Sequence, residues 1–510
     1  MGVVIETAGG KIEGEAREGV ETFRGIPFAA PPVGARRFCP PAPPEPWGGV
    51  RDCTAFGNTA PQPPSLLPGM APGAQDEDCL YLNVYTPAAD TQRRRPVMVW
   101  IHGGAFTGGS GSQALYEGAH LVRRGQVVLV TINYRLGALG YLHLADRQDR
   151  LEGAASNLGQ RDQIAALEWV RDNIDRFGGD PGEVTIFGES AGGMAVSTLL
   201  GMPAAKGLFH RVIAQSGAAH ATHSATSALW VLDAVLEQLG IAERDIAQLR
   251  DVSVERLLAA QSSAALAVGT RVQLPYAPSL DADSLPESPL DVVRRGGAKD
   301  IPLIVGVNGD EWKLFSAANP KHDTMDEVVL HKLVRSRLGK QSTSEADAKA
   351  MVESYKGTRP EAAPCDLFDA FESDRVFRIP AIRLAEAQVA HQPATRKYYF
   401  TYPSPARRGR LGACHALELP FVFGTFDAPT MDRFAGTGPE VKRLSLAMMD
   451  AWVAFARSGD PNSEAIPQWA PYCAEQRRTL IFDREVEQRH APEEVERSAW
   501  DGRLSHAPSN

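Results

Sequence analysis

The stretch "VTIFGESAGG", Val184–Gly193, decides how the rest of the chain reads. Val184–Phe187 has the apolar, β-branched character of a buried strand, and the "MAVSTLL" that follows reads as a helix. A serine, Ser190, stands at the corner between them with small residues on both sides. A tight strand-to-helix corner forces its central residue into a strained backbone conformation. Glycines two before and two after, Gly188 and Gly192, relieve the crowding. Such a turn lifts the Ser190 hydroxyl out of the sheet, and the helix behind it aims unpaired N–H groups at the same place. This is the nucleophile-elbow pattern. On its own it competes with a Gly-rich turn that merely packs a helix onto a sheet.

Outward from the elbow, short apolar runs alternate with helical patterns. Pro96–His102, Val127–Tyr134, Val184–Phe187, Arg211–Ser216, Pro302–Val307 and Lys397–Tyr402 read as strands. Runs without alternation suit a sheet buried on both faces. Ile164, Leu167, Val170 and Ile174 recur at helical spacing, and Gly178, Gly179 and Pro181 end that helix. Strands alternating with helices predict an α/β fold with a mainly parallel central sheet flanked by helices. Residues 40–73 are rich in proline and glycine and read as an irregular surface loop. Residues 218–261 and 323–372 look helical without a clear strand, and are expected as insertions around the sheet. The expected organisation is one domain over residues 1–485 with a polar C-terminal tail at 486–510.

Composition narrows the function. Of 510 residues, 43% are hydrophobic and 23% charged, ordinary for a soluble globular protein, and the formal net charge is −9. That sign disfavours nucleic acid and anionic membrane surfaces as partners. No apolar run approaches a membrane span. The opening "MGVVIETAGG" lacks the basic and long apolar regions of a signal peptide. None of the six cysteines forms a C-x-x-C pair, so a zinc ribbon or thioredoxin-type site is not expected. No metal and no cofactor are expected. They read as free, mostly buried thiols in a reducing compartment.

A serine hydroxyl needs a base at neutral pH, and the base needs a group that orients it. In the α/β-hydrolase topology that an elbow implies, the chain order is serine, acid, histidine. "PLIVGVNGDEWKLF" places Asp310 and Glu311 just beyond a strand end. "RLGACHALELPFVFG" places His415 in a loop after the Lys397–Tyr402 strand. "WIHGGAFTGG" supplies a Gly-rich turn after Val97–Ile101, whose Gly104 and Ala105 N–H groups, with that of Ala191, can receive an oxyanion. A histidine base predicts a rate that falls in acid with an apparent pKa of roughly 6–7.

These stretches carry a family resemblance. The chain resembles the type-B carboxylesterase/lipase family, which includes para-nitrobenzyl esterases, mammalian carboxylesterases and cholinesterases. The family's serine signature is matched across "FGGDPGEVTIFGESAG", Phe177–Gly192, and its second signature by "EDCLYLNVYTP", Glu77–Pro87. Further matches are "FRGIPFAAPPVGARRF" (Phe23–Phe38), "NYRLGALGYL" (Asn133–Leu142), "HALELPFVFG" (His415–Gly424) and "MMDAWVAFARSGDPN" (Met448–Asn462). The resemblance implies an α/β-hydrolase fold with helical insertions. It implies hydrolysis of small carboxylic esters through an acyl-serine intermediate, with short- to medium-chain acids as the expected substrates. Amide or carbamate cleavage by the same mechanism is the alternative, and a non-catalytic binding protein on this fold is a further one. Carried over by position, the nucleophile is Ser190, the acid Glu311, the base His415, and the oxyanion donors Gly104, Ala105 and Ala191. Asp310 and Glu189 are then structural carboxylates, and His102 is expected to help hold the oxyanion loop. The oligomeric state stays open between a monomer and a small homo-oligomer.

Two departures matter. Secreted relatives bridge the cysteine matched by Cys79 to one near position 60, where this chain has Ala60 and Pro61. That implies an unbridged enzyme of bacterial, cytoplasmic type. Cholinesterases carry a tryptophan in the loop before that cysteine, whereas residues 62–78 contain no aromatic residue. A choline-selective site is therefore not expected.

Overall fold

The computed structural model describes residues 2–64, 73–269, 271–338 and 344–503. Its frame is a 13-stranded sheet. The strands are β1 (Gly2–Thr7), β2 (Gly10–Arg17), β3 (Val20–Pro27), β4 (Val50–Asp52), β5 (Tyr81–Thr86), β6 (Arg95–Ile101), β7 (Val128–Ile132), β8 (Gly179–Glu189), β9 (Arg211–Gln215), β10 (Leu303–Asn308), β11 (Thr395–Phe400), β12 (Thr479–Phe482) and β13 (Glu487–Arg489). Their order is β1-β2-β3-β5-β7-β6-β8-β9-β10-β11-β12-β13, with β4 beside β2. From β7 to β12 every neighbouring pair is parallel. The N-terminal strands β1, β2, β3 and β5 join antiparallel, as does β13.

All six strands expected from sequence are present in the parallel block. Val97–Ile101, Val128, Val130, Ile132 and Leu303–Val305 are fully buried, as a sheet covered on both faces requires. The helix Leu158–Asn173 carries the predicted stripe, with Ile164, Leu167 and Val170 buried. The edge strand β1 alternates exposed and half-buried residues instead, and β2 mixes exposed residues with a few buried ones.

Both insertions are helical. The first contains the helices Ala225–Leu239 and Val254–Val268, and the second Glu327–Leu338, Glu345–Thr358 and Pro364–Ser373. Residues 339–343 of the second lie outside the described residues. The Pro-rich loop is irregular apart from β4, and its part at 65–72 is likewise outside them. Of the stretch from 486 expected as a polar tail, residues 486–503 are described. They form β13 and the short helix Glu494–Ser498, Glu496 is buried, and Trp500 is 1% exposed in a core shared with the second insertion. Among the described residues no single helix is long and apolar enough to cross a membrane.

A buried ion pair fixes the loop behind the sheet. Arg135, just after β7, donates from Nε to Asp162 Oδ2 at 2.8 Å and from Nη2 to Oδ1 at 2.6 Å. The Arg135 backbone N–H bonds the same carboxylate at 3.0 Å. Their side chains are 4% and 0% exposed. Breaking such a pair leaves an uncompensated buried charge and costs about 3–5 kcal/mol. Asp162→Ala is therefore expected to lower the melting temperature by several degrees, whereas an exposed pair such as Arg171–Asp172 is expected to be replaceable with little change. Equal melting temperatures for Asp162→Ala and the parent would contradict this.

Candidate active site

The elbow sits at the centre of the sheet, where β8 meets the helix Ala191–Leu199. Ser190 adopts φ 58°, ψ −125°, a conformation that side chains rarely adopt. The room for it comes from its neighbours. A Cβ on Gly188 would meet the Gly192 backbone at 2.6 Å, and one on Gly192 would strike the Ile101 carbonyl oxygen. The roles expected of these two glycines thus follow from direct contact between β8, β6 and the helix.

Glu311 follows β10 and is fully buried. Oε1 accepts from the Ser216 hydroxyl at 2.5 Å and from the Asn308 backbone N–H at 2.7 Å. Oε2 meets His415 Nδ1 at 2.5 Å. Glu311 and His415, 104 positions apart, are thereby brought together, the carboxylate on ring nitrogen Nδ1. The His415 ring lies against Phe377 and Phe315, at centroid distances of 4.8 and 5.1 Å.

Asp310, the alternative acid, points elsewhere. It accepts from the Ala413 backbone N–H at 2.9 Å and pairs with Lys313 at 2.8 Å, so it anchors the loop carrying His415. Asn308 strengthens that anchor by donating to the Cys414 carbonyl at 2.8 Å and to Glu418 at 2.6 Å. Sequence reasoning missed Ser216, Asn308 and Glu418, because hydrogen-bonding side chains at strand ends carry no local signal.

Glu189 does more than fill space. Its Oε1 lies 3.1 Å from His415 Nε2, and it lines the same cavity as Ser190. Burial raises its pKa well above the usual carboxylate range, and the nearby Glu418 and Glu311 raise it further. For His415, burial alone would favour the neutral ring. The carboxylates of Glu189 and Glu311 outweigh that effect and raise the imidazole above its ordinary value. This moves the His415 ring above the range of roughly 6–7 expected from the sequence.

The Gly-rich loop expected to receive an oxyanion follows β6. Gly104 has φ +110° and Ala105 φ 54°, so the peptide turns back on itself. Among the hydrogen bonds of the described residues, none is donated by the backbone N–H of Gly104 or Ala105. Ala191 opens its helix, where N–H groups have no partner within the helix. Gln62 pins the loop, its Oε1 accepting from Gly109 N–H at 2.8 Å and its Nε2 donating to the Gly109 carbonyl at 2.9 Å. His102 stacks on Tyr134 with centroids 4.4 Å apart, and its Nδ1 lies 2.8 Å from the Gly103 carbonyl. Burial lowers its pKa to about 4, so it holds the loop as a neutral ring.

These groups face a cavity of about 550 Å³. Ser190, His415 and the loop Gly103–Ala105 form one side of it, and Tyr116, Met194, Leu274, Trp312 and Phe315 give it a mainly apolar lining.

The sheet order and the elbow at the end of β8 define an α/β-hydrolase fold. Residues 2–500 match the carboxylesterase family, and the chain belongs to it. It is 41% identical to the para-nitrobenzyl esterase of Bacillus subtilis (strain 168) over 498 residues, 97% of each chain. It is 36% identical to a human cocaine esterase over 89% of this chain and 82% of that one. Among solved structures it superposes on a carboxylesterase of Geobacillus stearothermophilus with a TM-score of 0.87 at 40% identity, covering 98% of this chain and 99% of the other. The protein is a carboxylic ester hydrolase acting on small ester substrates.

The electrostatics of His415 make a prediction. A base must be neutral to accept a proton, so activity is lost as pH falls through its pKa. Because the carboxylates raise that pKa, the acid limb of kcat/KM is expected above the ordinary imidazole value of about 6.5. A parent limb at or below about 6.5 would contradict this balance of charges.

Proposed function

We propose that Ser190 is the nucleophile of this esterase, His415 its general base and Glu311 the group that orients and stabilises the imidazolium. The observation that supports this reading best is the buried Glu311–His415 contact of 2.5 Å beside the strained Ser190. Ser190 Oγ attacks the ester carbonyl carbon and passes its proton to His415 Nε2. The N–H groups of Gly104, Ala105 and Ala191 receive the negative charge on the carbonyl oxygen. His415 then gives its proton to the leaving alcohol. A water molecule, deprotonated by the same ring, attacks the acyl-serine, and the ring returns that proton to Ser190 Oγ as the acid leaves. For His415 to serve Ser190, its Nε2 must leave Glu189 for the serine hydroxyl. Hydrogen bonds of this kind tighten when substrate binds.

The substrate range follows from the cavity. Its aromatic and aliphatic walls favour uncharged acyl chains, each buried methylene contributing about 0.8 kcal/mol until the wall is reached. Esters of acids of roughly C2–C8 are the proposed substrates, in keeping with a pocket of drug-sized volume. All six cysteines are free thiols, Cys53, Cys79 and Cys414 of them buried. Ala60, Pro61 and Cys79 line one small cavity, so the position opposite Cys79 offers no sulfur. That supports a bacterial-type enzyme of a reducing, cytoplasmic compartment.

A fluorophosphonate is expected to label Ser190 alone, as read by peptide mass spectrometry, and Ser190→Ala is expected to fold yet lose turnover. Across para-nitrophenyl esters, kcat/KM is expected to peak within about C2–C8 and to be low at C16, with no advantage for a choline ester. A carbamate and an anilide in the same series distinguish ester hydrolysis from the carbamate or amide alternative. Label on another serine would overturn the mechanism, and a maximum at C16 would overturn the pocket assignment.

A further inference from the structure

Phe377, the closer of the two rings against His415, lies in an unusual piece of backbone. The helix Pro364–Ser373 continues into a π-helical turn, Asp374–Arg378, and then into the helix Ile379–Val389. Pro380 explains the widening. It cannot donate to the Val376 carbonyl four residues back, and its ring crowds that carbonyl, so the preceding turn opens. Val376 and Phe377 of this turn line the cavity. Phe377 and Phe315 stand nearly parallel, 6.2 Å apart with 8° between their planes, and both contact His415.

A widened turn has poorer internal hydrogen bonding and must be held from outside. Here buried charges hold it. Arg378, 3% exposed, clasps Asp374 with Nε–Oδ1 at 2.5 Å and Nη2–Oδ2 at 2.6 Å. Its Nη1 reaches the Pro492 and Glu493 carbonyls at 3.2 and 3.4 Å and the Glu493 carboxylate at 3.4 Å. Asp374 also accepts from the Tyr355 hydroxyl at 2.5 Å, which in turn accepts from Trp500 Nε1 at 2.9 Å. At the other end of the turn, Arg375 pairs with Glu372 at 2.7 Å and donates to Gln273 at 2.9 Å, beside the cavity-lining Leu274. The turn thus ties the wall of the cavity to the last described segment of the chain.

We propose that Arg378 is a positioning residue for ester hydrolysis: with Asp374 and the carbonyls of Pro492 and Glu493 it sets the π-helical turn so that Phe377 holds the His415 ring in line for Ser190. Its role is through Phe377 and not through contact with substrate. The proposal rests on His415 being the base. It predicts that loosening the turn lowers the chemical step more than substrate binding, because the base is misplaced while most of the cavity stays.

The test compares Arg378→Met/Asp374→Asn, which neutralises both members of the pair, with Phe377→Ala and with the variant carrying all three changes. Enzyme concentration is set by active-site titration with a fluorophosphonate, so that misfolded protein does not count. The expected result is a fall in kcat for a short para-nitrophenyl ester of about tenfold in each, with KM within about twofold. The three-change variant is expected to lie within about threefold of Phe377→Ala, since both routes act through one ring. Unchanged kcat in the titrated Arg378→Met/Asp374→Asn enzyme, or losses that multiply, would overturn the proposal. Should that variant not fold, Glu493→Gln keeps the inner pair and removes the outer carboxylate. It is read in the same way, with an expected fall in kcat of about threefold, and unchanged kcat there overturns the proposal equally. His415→Asn is the control. If it keeps activity, the base assignment fails. If it is inactive while the Arg378 variant is fully active, only the role of the turn fails.

Discussion

The organisation of the site depends on one buried carboxylate. Glu311 is removed from water and surrounded by three donors: the Ser216 hydroxyl, the Asn308 backbone N–H and the His415 ring. A carboxylate without such partners in that place would cost several kcal/mol. Meeting the requirement draws together the ends of β9 and β10 and the loop after β11. Ser216 follows β9 directly, Asn308 ends β10, and Asn308 also holds the Cys414 carbonyl next to His415. The same parallel sheet presents Ser190 at the end of β8 and the Gly104–Ala105 turn at the end of β6. Five strand ends therefore converge on one cavity because the strands run parallel, and antiparallel neighbours would have sent half of these residues to the opposite edge.

Much of this was legible in the sequence, and for local reasons. The elbow is legible because only small residues fit around Ser190, as the contacts of Gly188 and Gly192 show. The six central strands are legible because full burial on both faces leaves uninterrupted apolar runs. Glu311 and His415 are legible by their order after strand ends, and Asp310 is separable from Glu311 only by which donors each carboxylate meets. The edge strands β1 and β2 are half exposed, so their pattern is weak. The segment after residue 486 looks polar because its acids are charged, yet Glu496 and Glu493 turn inward to Arg359 and Arg378. Partners more than a hundred residues apart leave no periodic trace. Gln62, whose partner Gly109 is 47 positions away, and the contact of Glu189 with His415 escaped because what they do depends on who faces them.

Segments next to the insertions complete the cavity. Ser190 and His415 come from the sheet ends, and Leu274, past the first insertion, and Val376 and Phe377, past the second, line the cavity with them. Enclosure lowers the local dielectric, which strengthens the Glu311–His415 interaction and the pull of Glu189 on the same ring. Stability and reactivity meet in the aromatic contact of Phe315 and Phe377 with His415. These rings both line the pocket and pack on the His415 ring.

The central claim is that Ser190, Glu311 and His415 act as one unit. It is tested most directly by kcat/KM for Ser190→Ala, His415→Asn and Glu311→Gln alongside the variant that carries all three changes. Groups that work as a unit are grossly non-additive. The account predicts that Ser190→Ala and His415→Asn each lose about as much activity as the triple variant. Losses that multiply from one change to the next would show three independent contributions and contradict it.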